Sequence, residues 1–320
     1  MTMRNAAGLD ISKDTIDAAV VIGDSVQTKK YSNDETGIKQ LESWLQTFED
    51  LPVCMEATGN YYEAAADYLA ERHTVYVVNP LKISKYAESR FARTKTDKQD
   101  AKLIAEYCQT AKEKDLVHRP KPTDDQYRLS RLTAAYAQIN QECTAMKNRC
   151  EAAKDSEVRA IFKNIIKHLQ KQLKTLKTQI QKQTQKPQYQ TRIKRLETIP
   201  AIGRLTAAVL LQYLTSADFK TPNKFAAFAG LNPQQKQSGT SVKGQEKITR
   251  YGNRKLRTAL FMPAMVAYRM KAFPAFIARL EAKNKPKKVI ITALMRKLAV
   301  IAYHVHKKGE DYDPTRYAAA

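Results

Sequence analysis

Residues 7–23 read AGLDISKDTIDAAVVIG, the longest apolar segment of the N-terminal third of the chain. Its dense apolar residues, several of them β-branched, predict a β-strand with a possible bend at SKD. Asp10 interrupts the apolar pattern between Leu9 and Ile11. A carboxylate within an apolar strand is costly to bury unless it is paired or binds a cation. The stretch therefore predicts a core strand that carries a functional acid.

Around this stretch, strand and helix patterns alternate over residues 5–120. Three more segments predict strands: SVQTKKYS (25–32), LPVCMEATG (51–59) and HTVYVVNP (73–80). Three others have the apolar spacing of helices: DETGIKQLESWLQTF (34–48), NYYEAAADYLAERH (60–73) and TDKQDAKLIAEYCQTAK (96–112). This alternation predicts an α/β domain over residues 1–122.

Three further acids accompany Asp10 in this domain. Glu56 ends an apolar strand pattern, and Asp97 and Asp100 lie in KTDKQDAKL (95–103), where a capping-box pattern predicts a helix start with both aspartates on one face. An acidic first turn is common in helices and by itself indicates only favourable capping. Four carboxylates from two strands and a helix, however, are the set that a ribonuclease H-like fold brings together to hold Mg²⁺ or Mn²⁺.

The overall charge points to a polyanionic partner. The chain carries 55 Lys and Arg against 32 Asp and Glu, a net charge of +23 with a pI near 9.7. Because the basic residues spread over most of the chain, they favour nucleic acid over a membrane-surface helix or a surface that serves only solubility. We expect a cytoplasmic protein, since no apolar run looks long enough to span a bilayer and no signal peptide is recognisable. Scattered cysteines and histidines predict reduced thiols and no zinc site.

A heptad pattern begins where the α/β alternation ends. Apolar residues recur every three or four positions at Leu129, Leu132, Tyr136, Ile139, Cys143, Met146 and Cys150, and again at Ile166, Leu169, Leu173, Leu176 and Ile180. The pattern predicts a coiled coil over residues 123–189, either folded back as a helical hairpin or paired between subunits. Residues 163–186 hold seven lysines and no acid, which suits a solvated face or a track for a phosphate backbone, with Lys171 and Lys174 as candidate contacts.

Residues 190–320 predict a mainly helical third domain. Its first segment, ETIPAIGRLTAAVLLQYL (197–214), has a turn resembling a helix-hairpin-helix, which offers backbone N–H groups to a phosphate. A later polar segment, QSGTSVKG, contains Ser238; it is typical of a surface loop and lacks a GxSxG elbow, but a serine beside glycine and lysines also suits a nucleophile for phosphate. Thr240 and Ser241 are alternative hydroxyls. Candidate nucleic-acid contacts around this segment are Lys236, Lys243, Arg250, Arg254, Lys255 and Arg257.

Eight segments in chain order resemble the DEDD insertion-sequence transposases of the IS110 family, which include the Piv-type pilin-gene invertases. The segments are GLDISKD, MEATGNYYE, NPLKISKYAESR, KTDKQDAKLIAEYC, LETIPAIGRLTAAVLL, FAAFAGLNP, QSGTSVKG and RKLRTALFMPAMVA. The resemblance covers nearly the whole chain. It implies a RuvC-like domain whose metal ligands are Asp10, Glu56, Asp97 and Asp100, a coiled coil that helps to assemble a dimer or tetramer, and a transposase domain with Ser238 as nucleophile.

The resemblance also implies a recombinase of a bacterial mobile element, acting at the nucleoid on donor and target DNA. Its serine would form a covalent phosphoserine link, completed by the metal site, and several members of the family are guided by a structured bridge RNA. Three alternatives stay open: a site-specific invertase without guide RNA, a RuvC-like nuclease that uses water, and a non-catalytic nucleic-acid-binding protein.

Overall fold

The computed structural model describes residues 5–49, 51–57, 59–90, 97–112, 116, 118–234, 237–238, 242–243, 247–249 and 251–317. For residues 97, 98, 234, 237, 238, 242, 243 and 247 only the backbone is described. The chain forms two compact units, Met1–Pro122 with Ser216–Asp218 and Thr123–Thr215 with Phe219–Ala320. The division into three domains expected from the sequence stays a prediction.

The first unit is built on a five-stranded mixed sheet of order β3-β2-β1-β4-β5. Its strands are β1 (Ala6–Ile11), β2 (Thr15–Ile22), β3 (Ser25–Ser32), β4 (Val53–Glu56) and β5 (Val75–Val78). β1, β2 and β3 pair antiparallel, whereas β1, β4 and β5 pair parallel. The described helices of this unit are α1 (Glu35–Leu45), α2 (Glu63–Leu69), α3 (Pro80–Ser89) and α4 (Asp97–Thr110).

The stretch 7–23 forms two antiparallel strands rather than one bent strand. Polar contacts stabilise the turn between them: the Ser12 hydroxyl accepts a hydrogen bond from the Thr15 N–H at 3.0 Å. The Asn33 side chain donates to the Ser12 carbonyl at 2.8 Å. The bend indicated by SKD is therefore a closed hairpin turn.

Helix α3 is not predicted by apolar spacing, because its ten described residues bury only Ile83. Local signals determine its start. The Asn79 side chain accepts a hydrogen bond from the Leu81 N–H at 2.9 Å, and Pro80 takes the first helical position, where its fixed φ suits the helix and its missing N–H removes no bond.

The sheet buries an apolar cluster on each face. Leu9 and Met55 belong to one cluster, together with residues of α1 and α2. Cys54 belongs to the other, together with Ile104 and Cys108 of α4. Because successive strand residues face opposite sides, β1, β4 and β5 contribute to both clusters, whereas β2 contributes to the first.

The second unit is mainly helical. Its described helices are α5 (Asp124–Ala152), α6 (Ser156–Thr184), α7 (Pro187–Glu197), α8 (Arg204–Leu214), α9 (Pro222–Phe228), α10 (Arg254–Arg269), α11 (Pro274–Ala282) and α12 (Lys287–Lys308), followed by a 3₁₀ helix at Pro314–Tyr317. Four two-residue strands lie between α9 and α10: β6 (Pro233–Gln234), β7 (Gln237–Ser238), β8 (Val242–Lys243) and β9 (Lys247–Ile248).

Helices α5 and α6 pack against each other as a hairpin joined by three residues. A capping box at Thr123 starts α5, and the Asp155 carboxylate starts α6 by accepting hydrogen bonds from two backbone N–H groups at 2.9 Å. Of the predicted seam, Leu129, Cys143 and Ile180 are buried and the other residues are half-buried. The chain thus folds back on itself here, one of the two arrangements that the heptads allow.

Helix α12 is a core helix of the second unit. By length and composition alone it could cross a membrane, but 56% of its apolar stretch is buried inside the protein. Leu294 and Leu298 have no exposed surface. A single, largely buried helix of this kind is typical of a folded core rather than of a membrane protein.

Candidate active site

Asp10 and Glu56 lie side by side on two neighbouring parallel strands. The register pairs Leu9 of β1 with Met55 of β4, so the next residue on each strand is a carboxylate at the same level of the sheet. Leu9 and Met55 face the cluster on the α1 and α2 side. Because alternate residues face opposite sides, Asp10 and Glu56 share the α4 side, where both are half-buried.

Gly8 brings α4 into direct backbone contact with β1. A Cβ atom at this position would lie 2.2 Å from both the Ala101 carbonyl oxygen and the Ala105 nitrogen. Neither atom belongs to a side chain that could move aside, so only glycine permits this approach.

The contact with Gly8 brings the first turns of α4 close to β1. Cys108, near the end of α4, belongs to the same buried cluster as Ala6 at the start of β1. Asp100 immediately precedes Ala101, whose carbonyl oxygen meets Gly8. Gly8 is two residues before Asp10 on β1, so the start of α4 lies beside the part of β1 that carries Asp10.

One further acid on this face, Asp17, was not predicted from the sequence. The antiparallel register places Asp17 of β2 directly opposite Asp10. Its side chain is 5% exposed and forms an ion pair with Lys30 of β3 at 3.1 Å. Like charges directly opposite each other are destabilising, so Lys30 offsets part of the repulsion. The position of Asp17 opposite Asp10 can be predicted only when residues 7–23 are known to form a hairpin.

Asp10 and Glu56 suit a divalent metal in chemistry, and their backbones lie at the same level of neighbouring strands. Carboxylate oxygens are the ligands that Mg²⁺ and Mn²⁺ prefer, and a cation would relieve the repulsion between adjacent acids. Within the described side chains, no three Asp, Glu, His or Cys groups are close enough to hold a metal ion. Asp10, Glu56 and Asp100 belong to the described side chains and do not form such a group, whereas the Asp97 side chain is not described. The four-acid ligand set stays a prediction.

Ser238 lies in an arm of short strands, residues 233–249. In this arm β6 pairs antiparallel with β9, and β7 pairs antiparallel with β8, with Ser238 opposite Val242. The Ser238 side chain, and the alternative hydroxyls Thr240 and Ser241, lie outside the described residues. The backbone therefore places the serine in the β7–β8 pair, which lies between β6 and β9 in the chain.

Close backbone contacts define the base of this arm. The Thr249 N–H donates to the Asn232 carbonyl at 2.9 Å. A Cβ atom at Gly252 would lie 2.2 Å from the Gly230 nitrogen and 2.3 Å from the Phe228 carbonyl oxygen. The points where the chain enters and leaves the arm are thus in contact.

Arg296 of α12 holds the same base through its side chain. Its two terminal nitrogens donate to two asparagine side-chain oxygens, that of Asn232 at the arm and that of Asn223 in α9, the latter at 2.9 Å. A planar guanidinium bridging two fixed acceptors restrains the arm more than a single-point contact would.

The basic residues expected to contact nucleic acid lie in different surroundings. Arg257 is half-buried and donates to the Ala229 carbonyl at 3.0 Å, so it also supports the base of the arm. Exposed members of the set are Lys171, Lys174, Arg254 and Lys255. Lys236, Arg250 and the side chain of Lys243 lie outside the described residues.

Two family descriptions match the chain. Residues 7–156 match the DEDD transposase domain of IS110 elements, and residues 193–281 match the transposase IS116/IS110/IS902 family. A DEDD domain suggests a divalent metal, without specifying which one.

Full-length relatives agree with these matches. The pilin gene-inverting protein of Moraxella bovis is 36% identical over 315 residues, covering 96% of this chain and 97% of the relative. The protein of the same name from Moraxella lacunata matches equally well. A probable family 20 transposase of Pseudomonas aeruginosa is 24% identical over 308 residues, covering 83% and 88%. These matches cover both the five-stranded sheet with Asp10 and Glu56 and the arm with Ser238. The chain therefore belongs to the IS110 family of transposases and DNA invertases, enzymes that cleave DNA.

Proposed function

We propose that this protein recombines DNA with Ser238 as nucleophile and a divalent metal held by Asp10, Glu56, Asp97 and Asp100. The meeting of Asp10 and Glu56 on the α4 face carries the proposal. Acids brought together in this way on a sheet face serve poorly for packing and well for binding a cation that acts on phosphates.

The serine would give a covalent route to strand exchange. As its Oγ bonds to the phosphorus of a phosphodiester, the hydroxyl loses its proton, the bond to one deoxyribose oxygen breaks and that oxygen takes up a proton. A deoxyribose hydroxyl of another strand then attacks the phosphoserine, which releases the serine and reseals the DNA without ATP. A metal bound by the acids would stabilise negative charge on the phosphate.

Helix α6 supplies a surface for nucleic acid. Six exposed lysines form no ion pair with any residue in the described part of the chain; this α6 lysine row consists of Lys163, Lys167, Lys171, Lys174, Lys177 and Lys182. The first five recur every three or four residues and therefore share one helix face. The row rises about 28 Å, roughly eight base steps of duplex DNA at 3.4 Å each. It would bind donor DNA, target DNA or a guide RNA.

Two natural reactions are compatible with this chemistry. Insertion of a mobile element guided by a bridge RNA is the first. Site-specific inversion without RNA is the second, and the names of the two Moraxella relatives favour it. In either case we propose a dimer or tetramer assembled with the help of α5 and α6.

The decisive experiment looks for a protein–DNA adduct. Full-length protein is incubated with Mg²⁺ and labelled donor and target DNA, with and without RNA transcribed from the sequence that flanks the gene, and resolved on a denaturing gel. We expect an adduct with the natural sequence that is lost in Ser238→Ala and in Asp100→Ala. Thr240→Ala and Ser241→Ala are matched controls that should retain it.

The outcomes separate the alternatives. An adduct that requires RNA supports guided insertion, whereas an adduct and inverted product without RNA support an invertase. Cleavage without any adduct, undiminished in Ser238→Ala, would replace the serine with water as the nucleophile. Binding without cleavage in every combination of metal and RNA would contradict an enzymatic role.

A further inference from the structure

A groove of about 750 Å³ lies at the foot of the α5–α6 hairpin, between the start of α5 and the end of α6. Four cationic side chains line it against two carboxylates: Arg128, Arg131, Lys182 and Lys186 against Asp124 and Asp125. The proposed steps at the serine and the acids use none of these residues, and only Lys182 also belongs to the α6 lysine row. The groove therefore calls for a separate explanation.

The positive charge of the groove is only partly offset within it. The Asp125 carboxylate is engaged by Lys186 and by the Gln183 and Gln188 side chains. Arg128 and Lys182, in contrast, are exposed and form no ion pair with a residue that the structure describes. Two such cations facing one groove attract an anion, and a phosphate group suits both.

The groove also contains an exposed flat surface. The Tyr127 residue is 45% exposed, and the Arg131 guanidinium lies over its ring, 4.7 Å from the centroid. Arg131 additionally donates a hydrogen bond to the Tyr127 hydroxyl at 2.8 Å. The two flat groups thus fix each other's orientation, and aromatic rings and guanidinium planes are the surfaces on which unpaired bases stack.

We infer that this groove binds an unpaired nucleotide of a single-stranded nucleic acid. Its base stacks on the Tyr127–Arg131 pair and its phosphate contacts Arg128 and Lys182. Lys182 is also the last member of the α6 lysine row, so a strand that follows the row reaches the groove. The inference rests on the proposed function to the extent that strand exchange exposes unpaired DNA or uses RNA; the chemistry of the groove is common to both nucleic acids.

The test measures the binding of full-length protein to three labelled probes: a 20-nucleotide oligothymidylate, a 20-nucleotide oligouridylate and a 20-base-pair duplex. Tyr127→Ala should weaken single-strand binding on the order of tenfold and leave duplex binding unchanged, because duplex bases are already stacked on each other. Tyr127→Phe keeps the ring and should keep most of the affinity. Circular dichroism checks that each variant is folded.

A charge variant completes the design. Arg128→Ala should weaken binding of every probe and lower the slope of log K against log salt by about one. Lys147→Ala is the matched control, since Lys147 is an exposed lysine of the same helix that does not line the groove; its effect on single strands should be smaller than that of Arg128→Ala. A larger effect of Tyr127→Ala on oligouridylate than on oligothymidylate would identify RNA as the ligand, and the reverse would identify DNA.

Two results would overturn the inference: no effect of Tyr127→Ala on either single strand, or an equal loss on single strand and duplex. The adduct assay keeps this separate from the proposed function. If the natural sequence forms no adduct but Tyr127→Ala still loses single-strand binding, the serine mechanism fails and the groove assignment stands. If the adduct forms and Tyr127→Ala binds like the natural sequence, the reverse holds.

Discussion

The five-stranded sheet, which carries Asp10 and Glu56, and the arm of residues 233–249, which carries Ser238, hold their candidate catalytic groups in different ways. Asp10 and Glu56 lie on central strands, each directly after a residue with no exposed surface, Leu9 and Met55. Ser238 is in a two-residue strand of an arm whose described tertiary contacts are at its base, where Arg257 and Arg296 donate hydrogen bonds. The first group is fixed by the core, the second by polar contacts.

This difference predicts a separation between stability and activity. A change that displaces the acids must disturb a packed core, which typically costs several kcal/mol. A change that loosens the arm removes only a few hydrogen bonds, each worth about 1.5–3 kcal/mol when one partner is charged. Variants of the sheet should therefore lose stability and activity together, and variants of the arm should lose activity first.

Gly8→Ala should have the largest effect on both stability and activity. The added Cβ would meet backbone atoms of α4 at 2.2 Å, so α4 has to shift, and the acids at its start shift with it. We expect a loss of about 1–3 kcal/mol in the free energy of unfolding and loss of DNA cleavage, measured by thermal unfolding and by the adduct assay.

Gly203→Ala is the matched control, because a Cβ there would meet no atom within 4 Å. It should retain most of the stability; because Gly203 lies in the turn predicted to contact phosphate, its melting temperature and not its cleavage is the readout. A Gly8→Ala protein with unchanged melting temperature and full cleavage would show that the contact with α4 does not hold the acids in place.

Arg296→Ala tests the other half of the comparison. Removing the guanidinium frees Asn232 at the arm from Asn223 in α9, while the apolar core of the second unit is untouched. We expect adduct formation at saturating DNA to slow by about 10- to 100-fold, with the melting temperature lowered by no more than a few degrees. Single-turnover kinetics and thermal unfolding give the two numbers.

Arg296→Lys sharpens this prediction. Lysine keeps the charge but has one terminal nitrogen instead of a fork, so it should rescue adduct formation only in part. Full rescue by lysine would show that charge alone matters at this position, and a large fall in melting temperature with unchanged adduct formation would assign Arg296 a purely structural role.

The same contrast explains what could be predicted from the sequence. β4, β5 and most helices of the first unit follow from apolar periodicity, because burial in a sheet or on a helix face imposes it, whereas residues 7–23 were predicted as one strand and form two. Asp10 and Glu56 stand out for the same reason, as charges in apolar runs. Asp17 was missed because the side of the sheet on which it lies depends on the hairpin turn at Ser12. Polar contacts close this turn, and the apolar periodicity of the sequence does not indicate it.

The support of the serine could not be predicted from the sequence. Arg257 and Arg296 are cationic residues of the kind that contacts nucleic acid, but both donate hydrogen bonds within the protein. The sequence shows the charge of an arginine and not the group that it contacts. The Ala229 carbonyl that Arg257 meets lies 28 residues earlier in the chain, and the Asn232 side chain that Arg296 meets lies 64 residues earlier. Such long-range polar contacts depend on the packing of whole helices.

Variants of the α6 lysine row should have a smaller effect, which concerns the binding of DNA and not the positioning of catalytic groups. In Lys171→Ala/Lys174→Ala, loss of two exposed charges should weaken duplex DNA binding by about tenfold at moderate salt and lower the salt slope by about two. The melting temperature should not change, because neither side chain has a partner in the described structure. Lys39→Ala is the control, since Lys39 already pairs with Glu35 at 2.6 Å; a loss of DNA affinity as large as that of the double variant would argue against a specific row.

The smallest expected effect concerns pH and the second unit. Burial, with Arg192 and Lys307 nearby, lowers the pKa of His306 from its ordinary value of 6.5 to about 4. Between these two pH values the unfolded chain binds a proton that the folded chain does not, so stability is full above about pH 6.5, falls as the pH drops towards 4 and stays lowered below it. We expect His306→Gln to reduce the drop in melting temperature between pH 7.5 and 4.5 by a few degrees. The exposed His168 in α6 provides the control: His168→Gln should show the same drop as the natural sequence. If His306→Gln falls as steeply as that control, burial of this imidazole does not couple the second unit to pH. The acid sensitivity then comes from other groups, among them His304, whose pKa is also lowered by burial.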